Sequence, residues 1–514
     1  MNHPWRWALF AILLAQSFVF GLKLTDGFYD GAKHLNWSTP FWMLKAEEMH
    51  RVRFWTDGAA GVVSKTIEVA AGRRPVEWYA SHPQLIAVPI YLWTRLFGFA
   101  EWSARTLPIF MTLLTTLLLW LAARERHGER RATVFAACWA ALPAVIVFGR
   151  SLEHEPLVML FAALGILAQE KVFAGDARWR WAWPVAMTGM MWSDWSGFVF
   201  VGLLFLAQLA GARSHAPTRS LLPLTLAAGA AGLAIVVGQG ILTRTVATDI
   251  PASGPVPAAA ASSPVRDVLG SFWSQYYNRS GRAGGAAWDY WRMKQVQYFT
   301  ANFTAILGLA GVLAGIAAHA KAFRDKGAGM TARGFFLIVA LGNVIYAVIL
   351  REATAVHIFY QYYYGAFVAW GLAELVGFVE NALPEKRRSA ALAAWAVLLA
   401  VLATSGLKTL YIQGWGGPGE VAVLKLIRQY PGASAAMIAS PEDNYLANPN
   451  VEYYSGQRIW MAYPEDAVKK DLVLLAPGDA AVQRKALNYL AGPRAKFELR
   501  ACSPLLCLWV KTRA

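Results

Sequence analysis

The sequence predicts an all-α polytopic membrane protein of about eleven transmembrane helices, followed by a small C-terminal α/β domain outside the cytoplasm. Three observations lead there. Of 514 residues, 56% are hydrophobic and 16% charged, and mean hydropathy is +0.36, too apolar for a soluble protein. The apolar residues gather in runs close to the roughly 20 that cross a bilayer, with Lys and Arg clustered between the runs. After the glycine cluster "GWGGPG" at 414–419, apolar runs shorten and charge density becomes ordinary. The formal charge of +16 is then topological, the positive excess that holds loops in the cytoplasm. It is not the basic face of a nucleic-acid binder.

Each element follows in order. Arg6 precedes an apolar run from Trp7 to Leu24 with no small-x-small cleavage site, which reads as an uncleaved helix with its N-terminus inside. A first external loop, 25–101, should hold two interfacial helices. One is "FWMLKAEEMHRVRFW" at 41–55; the other covers 84–99, apolar but short and interrupted by Pro89 and Arg95. Spans at 102–123 and 132–148 flank "RERHGERR", whose four arginines place it inside, so "SLEHEP" lies outside before the span 156–174. The run 181–211 is too long for one crossing and basic at both ends, hence a hairpin with "MWSDWSG" at an external tip. Further spans fall at 221–242, 300–320, 334–350, 362–382 and 389–406. Between the first two of these, "IPASGPVPAAAASSP" opens an external loop, 245–300, as a linker, and its aromatic and basic remainder suits an interface.

The membrane part is thus 1–406 and the external domain 407–514. In the latter, "VAVLKLIRQY" and "VQRKALNYL" suggest helices, and "AAMIAS", "DLVLLAP", "KFELRA" and "LLCLWVK" strands. Cys502 and Cys507 flank a Ser-Pro turn and form a hairpin disulfide in an oxidising compartment or remain two thiols, while Cys138 is packing within a span.

This topology sends Asp26, Asp30, His82, Glu153, His154, Glu155, Asp194, Arg351, Glu352 and His357 to one side of the membrane, each beside a span end. Ionisable groups there are costly to desolvate and mark a functional site by default. A solvated loop charge is the plain alternative for Asp26 and Glu352, interfacial snorkelling for Arg351, and a helix cap for Asp194.

The patterns resemble a family. "DGFYDGAKHLN" followed by "SHPQLIAVPIYLWTRLFGFAEWSAR" looks like the first external loop of C-type glycosyltransferases of the protein O-mannosyltransferase and aminoarabinose transferase branch. There an acidic residue after the first helix precedes a His-Pro segment, Leu-Phe-Gly, and Glu-x-x-x-Arg, filled here by Glu101 and Arg105. Gln84 departs from the second proline that the family often carries. "FGRSLEHEPLVML" is similar to the acidic second external loop, with Glu153 and Glu155 at Asp-x-Glu spacing, "SDWSGFVF" to the Trp-Gly hairpin of oligosaccharyltransferases, and "HIFYQYYYGA", with Tyr360, to a His-x-Tyr-Tyr stretch opening a later span.

What the resemblance implies is a C-type fold that transfers a sugar from a polyprenyl-phosphate or diphosphate carrier to a protein, lipid or glycan acceptor at the outer face of an inner membrane, with inversion. A neutral acceptor is a poor nucleophile, so a carboxylate must remove its proton. Asp30 is the candidate base, with Asp26 in reserve and Glu155 the second catalytic carboxylate. Arg351 and His357 would bind the donor phosphate, and His82, His154, Asp194 and Tyr360 substrate. Glu153 and Glu155 could hold magnesium or manganese together with Asp30; zinc suits the intervening histidine equally, and metal-free catalysis is the alternative. A secondary transporter would have two similar halves, and no second copy of "DGFYDGA" or "EHE" occurs. A non-catalytic protein that binds lipid carriers is the remaining alternative.

Overall fold

The structure is a computed structural model that describes residues 4–27, 38–51, 83, 85–213, 215–248, 273, 276–277, 279–280, 288–326, 332–412, 418–438, 449–457, 459–476, 480–492, 496–503 and 506–512. Helix α1 (Pro4–Gly21) is followed by α2 (Ser38–Arg51) and α3 (Ala87–Phe97). Then come α4 (Glu101–Ala141), α5 (Pro143–Phe148), α6 (His154–Phe173), α7 (Ala182–Ser193), α8 (Trp195–Gly211) and α9 (Ala216–Thr248). Beyond the 245–300 region follow α10 (Trp288–Phe303), α11 (Ala305–Lys326), α12 (Ala332–Ile349), α13 (Arg351–Val356), α14 (Gly365–Ala382) and α15 (Glu385–Ile412).

Every run expected to span has a helix at its place. Six helices are long and apolar enough to cross a membrane, and α8 and Gly334–Ile349 of α12 are shorter apolar helices, among the described residues. "RERHGERR" is a helical corner rather than an open loop. α4 runs through it and breaks only at Gly128 (φ 79°, ψ 168°), where the missing Cβ permits the reversal. Pro143, which cannot continue the hydrogen-bond ladder, separates α4 from α5.

Position in the bundle follows from sequence. α6 is apolar on all sides and is 72% buried across its membrane window, whereas the corresponding windows of α11 and α15 are only 17% buried and turn most of their surface to lipid. The core gathers Trp139, Trp183, Phe335, Phe336 and Trp370 around α6 and α14.

At one end sits a five-stranded sheet built from β1 (Ala435–Ile438), β2 (Trp460–Met461), β3 (Leu472–Leu475), β4 (Phe497–Cys502) and β5 (Cys507–Lys511), in the order β2-β1-β3-β5-β4. β1 pairs in parallel with β2 and β3, and β5 is antiparallel to both β3 and β4. Cys502 and Cys507 face each other across the β4–β5 hairpin and are disulfide-bonded. Helix α2 lies deeper than its charged middle suggests. Trp42, Met43 and Ala46 share one apolar cluster with Ile86 and Ile90 near α3, Met111 of α4, and Leu424, Val451 and Tyr454 of the C-terminal domain. Helix α2 is thereby sandwiched between bundle and sheet domain, while Leu96 and Phe97 at the end of α3 remain exposed.

Candidate active site

The root of the first loop is held by two buried arginines. Arg105, one turn into α4, donates from Nη1 to the carbonyls of Leu24 (2.7 Å) and Asp26, and from Nη2 to that of Gly27 (3.1 Å). Arg150, just before the acidic triplet, donates to the carbonyls of Leu22 (2.5 Å) and Lys23 (3.3 Å). Five carbonyls released at the end of α1 thus find charged donors inside the protein, which buried backbone acceptors require. Gly27 is needed at this place: a Cβ there would lie 2.5 Å from Val421 Cγ2 of the C-terminal domain.

The far end of the same loop is tied to the acidic triplet. Ser38, at the start of α2, hydrogen-bonds the Glu153 carboxylate, and Thr39 Oγ1 accepts from the Leu152 backbone N–H at 3.2 Å. Residues 24–27 and 38–39, which flank the sequence segment carrying Asp30, are therefore each held by side chains of the bundle. Asp30 and His82 themselves lie outside the described residues.

Glu153 occupies the N-cap position of α6 without a capping side-chain bond, His154 and Glu155 follow in the first turn, and all three are buried. The His154 ring is fixed by a 2.7 Å hydrogen bond between Nδ1 and the Ser193 carbonyl, and by an edge contact with Trp42 at 5.2 Å between centroids. Ser193 ends α7 at the hairpin tip. The next residue, Asp194, caps α8 by accepting from Ser196 N at 3.2 Å, and also accepts from Tyr363 Oη at 3.4 Å. Asp194 is 1% exposed and lies within electrostatic reach of both Glu153 and Glu155. Three buried carboxylates thus lie within electrostatic reach of one another, and Glu155 Oε2 finds no hydrogen-bond partner among the described residues. Burial first, and the charge of Asp194 second, push the Glu153 carboxyl above the ordinary carboxylate range.

Aromatic side chains lie next to these carboxylates. Tyr346 of α12 feels the charges of Asp194 and Glu155 and packs edge-on to Tyr360 at 5.4 Å. Tyr360 in turn meets His357 at 5.7 Å, and His357 stacks on Phe359 at 5.0 Å. The expected Glu153, His154, Glu155 and Asp194 are therefore brought together, with Tyr360 and His357 one ring further out. The Arg351 guanidinium lies 4.5 Å over the Trp288 ring, at a partly exposed position. Among the described residues, Arg279 is a cation whose charge reaches this cluster, acting on both His154 and Tyr346. Asp26 uses its carboxylate in a 3.7 Å ion pair with Lys23 and is 39% exposed.

Sequence reasoning missed Arg279, Tyr346 and Tyr363, and gave Arg105 and Arg150 no role. The basic and aromatic stretch "YYNRSGR" was the available signal for Arg279. Metal ligands were expected at Glu153 and Glu155. Among the described residues no three His, Cys, Asp or Glu side chains come close enough to form a metal cage by themselves.

Residues 81–244 match the family described as dolichyl-phosphate-mannose-protein mannosyltransferase. No match is found among curated proteins. In structure the chain is similar to ArnT from Cupriavidus metallidurans bound to undecaprenyl phosphate, at TM-score 0.63 and 14% identity over 99% of this chain and 98% of that one. It is also similar to the Archaeoglobus fulgidus oligosaccharyltransferase in complex with zinc and sulfate, at TM-score 0.54 and 14% identity over 90% and 68% of the two chains. The same archaeal enzyme, AglB, with an inhibitory peptide and a dolichol-phosphate, gives TM-score 0.54 and 14% identity over 92% and 70%.

Proposed function

Taking as premise that the chain has the fold of the C-type membrane glycosyltransferases, we propose that it transfers a sugar from a polyprenyl-phosphate-linked donor to an acceptor at the outer face of a bacterial inner membrane. The observation that carries this is the buried cluster of three carboxylates, Glu153, Glu155 and Asp194, with Ser38 bound to Glu153 and Arg105 holding the carbonyls of Leu24 and Gly27. The relatives bound to undecaprenyl phosphate and dolichol-phosphate support a lipid-linked donor, and the inhibitory peptide on AglB shows that one relative takes a peptide.

In the reaction, Asp30 accepts the proton of the acceptor group as its oxygen or nitrogen bonds to C1 of the sugar. The bond from C1 to the phosphate oxygen breaks on the opposite face, so the anomeric centre inverts and the polyprenyl phosphate departs with the electron pair. Asp30 suits the base better than Asp26, whose carboxylate is already paired with Lys23. The departing phosphate needs positive charge. Arg279, whose charge acts on His154, supplies it together with His357, which packs against Tyr360, and with Arg351 over Trp288. His154, Asp194 and Tyr360 are the proposed substrate contacts, together with His82.

A divalent cation fits the chemistry of the pocket, because clustered buried carboxylates, one oxygen of them without a partner, repel one another until a cation or protons intervene. Glu153 and Glu155 would hold it with Asp30 as third ligand, and the ion would supply further charge for the leaving phosphate.

The test incubates purified protein with radiolabelled polyprenyl-phosphate and polyprenyl-diphosphate sugars and follows loss of label from the lipid, with and without a chelator. Wild type releases label, and Asp30→Asn slows release by about 10²- to 10⁴-fold while Asp26→Asn does not. Wild-type release by Asp30→Asn would remove the base.

A further inference from the structure

A second cavity, about 680 Å³, lies at the opposite end of the bundle from the carboxylates. It adjoins the Gly128 corner of α4, roughly 30 Å along that helix from Arg105 by the rise of 1.5 Å per residue. Its cause is a glycine crossing. α11 and α14 meet so closely that a Cβ on Gly371 would lie 1.7 Å from the Gly311 carbonyl oxygen, and Gly315 lies against Phe367. Past that point the two helices part, and the alanines of α11 (Ala314, Ala317, Ala318) leave the wedge unfilled.

The cavity is cationic. Arg126, Arg131 and Lys321 line it, against one acidic residue, Glu374. Arg126 already pairs with Glu170 at 3.5 Å. Arg131 and Lys321 make no ion pair among the described residues, so two positive charges converge on the space without a counter-charge of their own. Leu375 and the alanines give one wall an apolar surface, and Phe378 at the rim is 71% exposed. A small anion explains the cations; only an anion joined to a hydrocarbon chain explains both walls.

We propose that this cavity binds a phosphate-bearing anion, with its phosphate between Arg131 and Lys321 and any acyl chain along the α11 alanines and Phe378. An acidic phospholipid and a soluble phosphate ester share that chemistry, and the apolar wall favours the phospholipid. The site is independent of the transfer reaction, and its ligand enters from the other face of the membrane.

The full-length protein is delipidated in neutral detergent and titrated with phosphatidylglycerol, phosphatidylcholine or glycerol 1-phosphate, and bound ligand is counted by native mass spectrometry. Wild type retains phosphatidylglycerol in preference to phosphatidylcholine. The double variant Arg131→Ala/Lys321→Ala weakens retention by about tenfold or more, two membrane-surface cations being worth that much together. Ala317→Leu, which fills the wedge and leaves the charges in place, weakens it too. The charge-preserving pair Arg131→Lys/Lys321→Arg retains the lipid and separates loss of the site from loss of the fold. Equal binding of glycerol 1-phosphate with the same variant sensitivity assigns the site to a soluble ester. Equal retention of both phospholipids, or full retention by the alanine double variant, overturns the proposal.

Discussion

Two kinds of residue decide whether the site can form, and they act in opposite senses on stability. Arg105 and Arg150 stabilise: each turns backbone carbonyls that would be stranded at the end of α1 into charge-assisted hydrogen bonds. Arg105→Ala should cost about 2–5 kcal/mol of stability and most of the activity, because several buried acceptors lose their donor at once. Arg105→Lys should restore little of either, since one ammonium cannot reach the three carbonyls that the guanidinium fork spans. Thermal unfolding in detergent and label release measure both, and a lysine variant equal to wild type would contradict the clamp. The carboxylates do the reverse. The Glu153 carboxyl is held above its ordinary range by burial and by Asp194, so the folded protein keeps a proton that the unfolded chain gives up near pH 4.3 or so. Stability should then fall as pH rises above that value, until Glu153 ionises in the folded state as well. Glu153→Gln should reduce this slope in unfolding curves recorded across the range, and an unchanged slope would place the titration elsewhere.

At the scale of elements, the hairpin α7–α8 shows how sequence becomes site. Its two short helices turn at Asp194, and Gly197 lets them pack: a Cβ there would stand 2.1 Å from the Met190 carbonyl oxygen. Gly197→Ala must therefore push α7 away, carrying the Ser193 carbonyl off His154. The expected outcome is a loss of about 1–3 kcal/mol together with reduced transfer; wild-type unfolding and turnover would contradict it. The hairpin was legible beforehand, because a run of about 1.5 span lengths with basic residues at both ends has few other solutions. The strands β1, β3, β4 and β5 were legible for a similar reason, each being a short apolar run bounded by turn residues. Less legible was whatever depends on distant packing. The burial of α2 comes from a domain 370 or so residues further along the chain, and nothing local to "FWMLKAEEMHR" announces it. Arg351 was chosen for its place at a span end, but a neighbouring tryptophan captures its cation. Arg279 was passed over because the segment around it has no helical or strand period to orient it.

The whole molecule is polarised. One end gathers carboxylates, tyrosines, Arg279 and the sheet domain that packs on α2; the other gathers Arg126, Arg131 and Lys321 around the wedge between α11 and α14. Between them the buried α6 and α14 form a rigid centre with the loosely covered α11 and α15 outside. This polarity gives the positive-inside charge pattern a structural counterpart, since the basic corner at Gly128 and the acidic triplet occupy opposite ends of the bundle. The central claim is that a polyprenyl phosphate presents its phosphate to the carboxylate end. The direct measurement is photo-crosslinking of the purified protein with a polyprenyl phosphate carrying a photoreactive group next to the phosphate, followed by peptide mapping. The account predicts adducts in peptides containing Glu153–Glu155, Asp194, Arg279 or Tyr346–Tyr360; adducts confined to the Arg126–Arg131 and Lys321 peptides would contradict it.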